Sequence, residues 1–178
     1  TKKEISPETI EQILKDTHEQ KSRLFLWGGE PLVHSQWGKI AKLLEKDPRW
    51  TTISTNGLLI EKKLDTLLPI SENLVMLISL DGLHEANDNL RGKNTFKRII
   101  DQINLLLELR KKGVYKGMIT INSVLNDAFI NHLYEFMEYF ERLQVVSVYF
   151  NFPWYISESQ AKKMDVYYAE NISWQNQP

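Results

Sequence analysis

Gly28-Gly29-Glu30-Pro31 is the run in this sequence with the clearest chemical content. Two adjacent glycines let a ligand lie directly on the backbone, and the glutamate adds a carboxylate beside exposed peptide groups, a combination that suits an ammonium group. Two further runs have similar content, Ser54-Thr55-Asn56-Gly57 and Ser79-Leu80-Asp81-Gly82. Alternate side chains of an extended chain point the same way, so Ser54 shares a direction with Asn56, and Ser79 with Asp81. With both pairs turned inward, hydroxyls, an amide and a carboxylate meet in one cleft. Taken singly, each run is also an ordinary turn, because short glycine motifs are weakly specific and Asn-Gly is a common turn signal. Their order, each at the end of an apolar run, sets them apart.

Other chemistries find little support. The chain of 178 residues has no cysteine, which removes disulfides, thiolate ligands, cysteine nucleophiles and a cysteine-held iron–sulfur cluster from this stretch. The four histidines, His18, His34, His84 and His132, lack metal-ligand spacing, and His84 is assigned to helix capping. No glycine-rich phosphate loop is present. A balance of 22 basic against 23 acidic residues gives no electrostatic footprint for nucleic acid. No apolar run approaches the roughly 18–20 residues of a membrane span, and the expectation is a cytoplasmic protein with neither nucleic acid nor membrane as partner.

The elements that must position these runs alternate along the chain. Ser6-Pro7-Glu8 reads as N-cap, first-turn proline and early acid of a helix carrying Ile10, Ile13 and Leu14. Residues 23–27 form a short strand stopped by the glycines, and a helix over 35–46 puts Trp37, Ile40, Ala41 and Leu44 on one face. Strands are predicted at 50–55, 74–80, 117–125 and 145–150, with a short helix at 60–67 and a long one at 94–112 bearing Phe96, Ile99, Ile100, Ile103 and Leu107. Asp127 caps a helix with Phe129, Phe136 and Phe140, and Ser157 to Gln160 form a capping box opening the last helix. The aromatic cluster Phe152, Trp154 and Tyr155 is read as packing beneath that helix.

With 42% hydrophobic and 25% charged residues, the composition is that of one globular domain spanning 1–178. Strands separated by helices imply right-handed βαβ units and an α/β fold, a partial (β/α) TIM-like barrel of parallel strands. The order opens with a helix that no strand precedes, so the barrel is expected to be missing its first strand, and the chain reads as a piece of a longer protein. The exposed sheet edge this leaves predicts self-association.

The ordered runs Trp27-Gly28-Gly29-Glu30-Pro31, Ile53 to Gly57, Ile78 to Gly82, and His84 through Asn94 with Asp88 and Arg91-Gly92, resemble the radical SAM enzyme family over about residues 6–150. The resemblance implies S-adenosylmethionine lying across the strand ends. Gly28, Gly29 and Glu30 would hold its amino group, with Pro31 shaping the turn. Ser54, Asn56 and Ser79, beside Asp81, would meet the ribose and the carboxylate, and Arg91 would be the carboxylate's charge partner. Asn122 or Ser123, with Tyr149 to Asn151, would border the adenine. It further implies, in an intact parent, a [4Fe–4S] cluster on three cysteines upstream and an external electron donor. Cleavage of S-adenosylmethionine to a 5′-deoxyadenosyl radical would follow, for hydrogen abstraction from a peptide or protein substrate. This chain has none of those cysteines and would supply only the S-adenosylmethionine-binding residues. The alternative is a non-catalytic binding module on the same scaffold.

Overall fold

The structure, a computed structural model, describes residues 4–126, 129–153 and 157–171. Helix α1 (Pro7–Asp16) begins as its sequence predicts: the Ser6 Oγ accepts the Thr9 N–H at 3.1 Å, and Pro7 occupies the first turn, where a missing N–H costs nothing. Five strands follow, β1 (Leu24–Leu26), β2 (Thr51–Thr55), β3 (Leu74–Ser79), β4 (Met118–Val124) and β5 (Ser147–Asn151). All neighbours are parallel, and the order across the sheet is the order along the chain. Such winding belongs to a barrel and not to a doubly wound sheet, whose order reverses at a switch point. With five strands the barrel is partial, and among the described residues β1 pairs with a strand on one side only.

Helices connect the strands: α2 (Trp37–Lys46), α3 (Leu64–Leu67), α4 (His84–Arg91), α5 (Thr95–Lys111) and α6 (Leu133–Leu143), with α7 (Glu158–Asn171) last. One face of the sheet is covered by them. In β2, Thr51, Ile53 and Thr55 are buried while Thr52 and Ser54 are half-buried, and in β3 and β4 the fully buried Met76, Ile78, Ile119 and Ile121 lie on the covered side. These meet Ile40, Leu44, Ile99, Ile103, Phe136 and Phe140 from the helices in one core. Gly57, with φ +78°, closes the turn after β2 where a Cβ would sit 3.0 Å from the Ile78 side chain, so both backbone and space require glycine.

Several expectations are corrected. The helix at 35–46 starts at Trp37, because a 3-10 turn (Pro31–Val33) and the following loop take up the residues before it. The segment 60–67 divides into a 3-10 turn (Glu61–Lys63) and α3. Helix α4 was not anticipated, since its only buried residue is a polar one, Asn87, and no apolar stripe announces it. His84 does not cap: it is the first residue of α4 at φ +45°, and its ring packs on Phe96 with centroids 4.6 Å apart. Phe129 precedes α6 and stacks edge-on to Phe136. Phe152 is 76% exposed and packs beneath nothing, and α7 buries no residue. The α7 capping box does form in part, the Gln160 N–H donating to the Ser157 Oγ at 3.2 Å. Asp127, Trp154 and Tyr155 lie outside the described residues.

Candidate functional site

The sheet's uncovered face gathers most of the predicted polar residues. Parallel pairing aligns Ser54 with Leu77, Leu77 with Thr120, and Thr120 with Ser147, and two residues further along it aligns Ser79 with Asn122 and Asn122 with Tyr149. Partners in register share a face, as do residues two apart, so Ser54, Ser79, Asn122, Tyr149 and Asn151 lie together. Thr120 and Ser147 link hydroxyls at 3.1 Å, and the Asn151 amide donates to the Asn122 Oδ1. Of the two candidates on β4, Asn122 is on this face. Ser123 is fully buried on the covered side.

At the β1 end, the Gly28-Gly29 turn is bare. Gly28 has φ +157°, and a Cβ on either glycine would meet no atom within 4 Å, which leaves room for a ligand against the peptide groups. The Glu30 carboxylate faces the protein. Its Oε1 accepts the Leu32 N–H at 3.1 Å and the Thr55 hydroxyl at 2.8 Å, and its Oε2 accepts the Asn56 N–H at 2.7 Å. Pro31 opens the 3-10 turn that brings Leu32 to it. Thr55 in turn accepts the Gly57 N–H at 3.1 Å, and the Asn56 Oδ1 accepts the Leu58 N–H at 2.9 Å, an Asx turn. The turn after β1 and the end of β2 are therefore one hydrogen-bonded unit.

At the β3 end, Asp81 joins three elements. Its Oδ1 accepts the Val124 N–H at the end of β4 at 2.8 Å, and its Oδ2 accepts the Arg91 Nε–H at 2.8 Å and forms an ion pair with Nη2, 2.7 Å away. The Asp81 N–H donates to the fully buried Asn87, whose amide donates to the Thr95 hydroxyl at 3.1 Å. Asp88 caps α5, accepting the Phe96 N–H at 2.8 Å and the Asn94 N–H at 2.6 Å. The Phe96 N–H, first among these, holds the Asp88 carboxyl below the usual carboxylate range, against the effect of desolvation.

Arg91 thus rests on a carboxylate of the protein, beside the site. Thr55 and Asn87 are site-building residues that sequence reasoning missed. Thr55 lies within a run already singled out, whereas nothing in the local spacing marks Asn87. Two surface grooves of about 450 and 420 Å³ lie elsewhere, on the helical outside between α2 and α3 and between α1 and α2. No group of three or more His, Asp or Glu among the described residues is placed to hold a metal ion.

The chain is similar to several known proteins. The Fe-coproporphyrin III synthase of Methanosarcina barkeri (strain Fusaro / DSM 804) is 29% identical over 122 residues, 67% of this chain and 30% of the synthase. Among solved structures, Streptococcus suis SuiB superposes with a TM-score of 0.71 at 19% identity, over 98% of this chain and 42% of SuiB. AdoMet-bound anSMEcpe superposes with a TM-score of 0.65 at 22% identity, over 85% and 44% of the two chains. The chain thus spans between 30% and 44% of the length of these relatives, and the structural likenesses establish the fold. The Radical SAM superfamily matches residues 1–137, most of the chain, and this protein belongs to that superfamily.

Proposed function

We propose that this chain is the S-adenosylmethionine-binding part of a radical SAM enzyme's barrel, acting within a longer protein. The observation that carries the reading is the bare Gly28-Gly29 backbone at the mouth of a sheet face that also presents Ser54, Ser79, Asn122 and Asn151. The backbone at 28–30 would take the ligand's ammonium group, with the Glu30 carboxylate holding that backbone in place. The hydroxyls of Ser54 and Ser79 would meet ribose and carboxylate oxygens, Asn56 would border them from the turn after β2, and Tyr149 would flank the adenine. S-adenosylmethionine supplies the adenosyl group from which radical chemistry in this family starts.

The residues present do not fit a [4Fe–4S] cluster, because the chain has no cysteine to ligate it. In this reading the cluster ligands belong to other parts of the protein, the electron donor is external, and the substrate is a peptide or protein. SuiB, determined with the precursor peptide SuiA, and anSMEcpe, determined with AdoMet and the Cp18Cys peptide, support that class. The test is a titration of the isotope-labelled chain with S-adenosylmethionine followed by NMR. Weak binding is expected, with shifts confined to the loops after β1 to β4. No shift at millimolar ligand, or shifts confined to the outer grooves, would replace this reading by a binding module of other specificity.

A further inference from the structure

We infer that Asp81 is a positioning residue, which grips Arg91 by one edge of its guanidinium so that the other end is presented to a ligand carboxylate at the strand ends. The inference rests on the S-adenosylmethionine reading and goes beyond it by giving the Asp81–Arg91 pair a division of labour.

A guanidinium has five N–H donors in a planar fork. The Asp81 Oδ2 accepts the one from Nε and sits 2.7 Å from Nη2 on the same edge. No hydrogen bond joins Nη1 or Nη2 to a protein acceptor among the described residues, and one N–H from each makes the end-on fork that matches the two oxygens of a carboxylate. A pair serving stability alone would be expected to match two oxygens to two nitrogens. Here both nitrogens face a single oxygen, and the other oxygen is committed to the Val124 N–H on β4.

The grip is also rigid. Asp81 is tied to β4 through Val124 and to α4 through its own N–H to Asn87, and Asn87 is tied to α5 through Thr95. The Asp81 side chain is 13% exposed and that of Arg91 26%, so the arginine is the more open partner of the pair. The pair carries no net charge. It offers an incoming carboxylate directional donors without a free cation that would collect any anion.

The experiment compares S-adenosylmethionine with its decarboxylated analogue on the labelled chain. The wild-type chain should prefer S-adenosylmethionine by about tenfold, the scale of one charge-assisted contact. Asp81→Asn should remove most of that preference by weakening S-adenosylmethionine far more than the analogue, and Asp81→Glu should restore part of it. Arg91→Ala should abolish it. In the wild-type chain, which needs no variant to fold, the Arg91 Nε–H signal should keep its position as ligand is added, because the Asp81 edge is retained. The inference is overturned if Asp81→Asn weakens both ligands equally, if the wild-type chain shows no preference, or if the Nε–H signal moves on binding. Binding of neither ligand would instead overturn the S-adenosylmethionine reading, and this inference with it.

Discussion

The Glu30 carboxylate accepts the backbone N–H of Asn56 at 2.7 Å, and through that contact the glycine turn after β1 and the end of β2 become one unit. Replacing Glu30 with alanine strands the Asn56 and Leu32 N–H groups and the Thr55 hydroxyl, all of which it satisfies. Unpaired groups of this kind cost about 1–3 kcal/mol. Glu30→Ala should therefore lower stability by that order in urea denaturation and abolish ligand shifts. Glu30→Gln, which keeps one acceptor oxygen, should lose less of both.

The glycines separate folding from binding. Gly57→Ala forces a Cβ into the Ile78 and Ile99 side chains at a positive φ, and a strained backbone of this sort costs about 1–3 kcal/mol. Gly29→Ala meets no protein atom and should change stability by less than about 0.5 kcal/mol. Its methyl group would nevertheless stand where the proposed ligand would lie. Calorimetric melting should be lowered by the first substitution alone, and S-adenosylmethionine affinity should fall with Gly29→Ala at unchanged melting temperature.

Acid should destabilise the protein. Burial opposes ionisation of Asp47, but hydrogen bonds from Lys21, Arg49 and His18 outweigh it and hold the carboxyl well below the usual range. The Asp88 carboxyl is lowered too, by the Phe96 N–H first. Because the folded-state values lie below the unfolded value of about 3.9, this stabilisation is complete above that pH and is lost as pH falls below it. The urea midpoint should fall progressively as pH drops below about 4. Asp47→Asn should flatten that dependence and loosen α1, because Asp47 holds the buried Arg49, which donates to the Leu14 and Thr17 carbonyls at the end of α1. An unchanged pH profile in Asp47→Asn would refute the assignment.

Strand β1 presents an edge with no strand partner among the described residues, and Phe25 on it is 56% exposed. Unprotected edges of this kind template pairing with another chain. Light scattering should show concentration-dependent association, reduced by Phe25→Lys. A monodisperse monomer at high concentration would count against it.

The strands were legible because each is a short run rich in β-branched or apolar residues, the first three ending in glycine or in Asn or Asp followed by glycine, and the α1 cap was legible because Ser6-Pro7 acts through its nearest neighbours. The rows of the open face were legible in half: alternation pairs Ser54 with Asn56, but only the register of β2 on β3 and of β3 on β4 puts Ser54, Ser79 and Asn122 together. Helix α4 was not legible, since it is held by Asn87, Asp88 and Arg91, polar residues whose partners lie on other elements.

Local and ordered features are what the sequence by itself determined: α/β alternation, parallel winding, the glycine turns and the three runs at the strand ends. These depend on spacing and on interactions a few residues long. Only the tertiary structure decided where the charges are spent. Glu30 turns to Thr55 and Asn56, 25 and 26 residues away, and Asp81 reaches Val124, 43 residues away. A carboxylate's partner depends on which donors the folded sheet brings within hydrogen-bonding distance, and no periodicity in the chain encodes that distance.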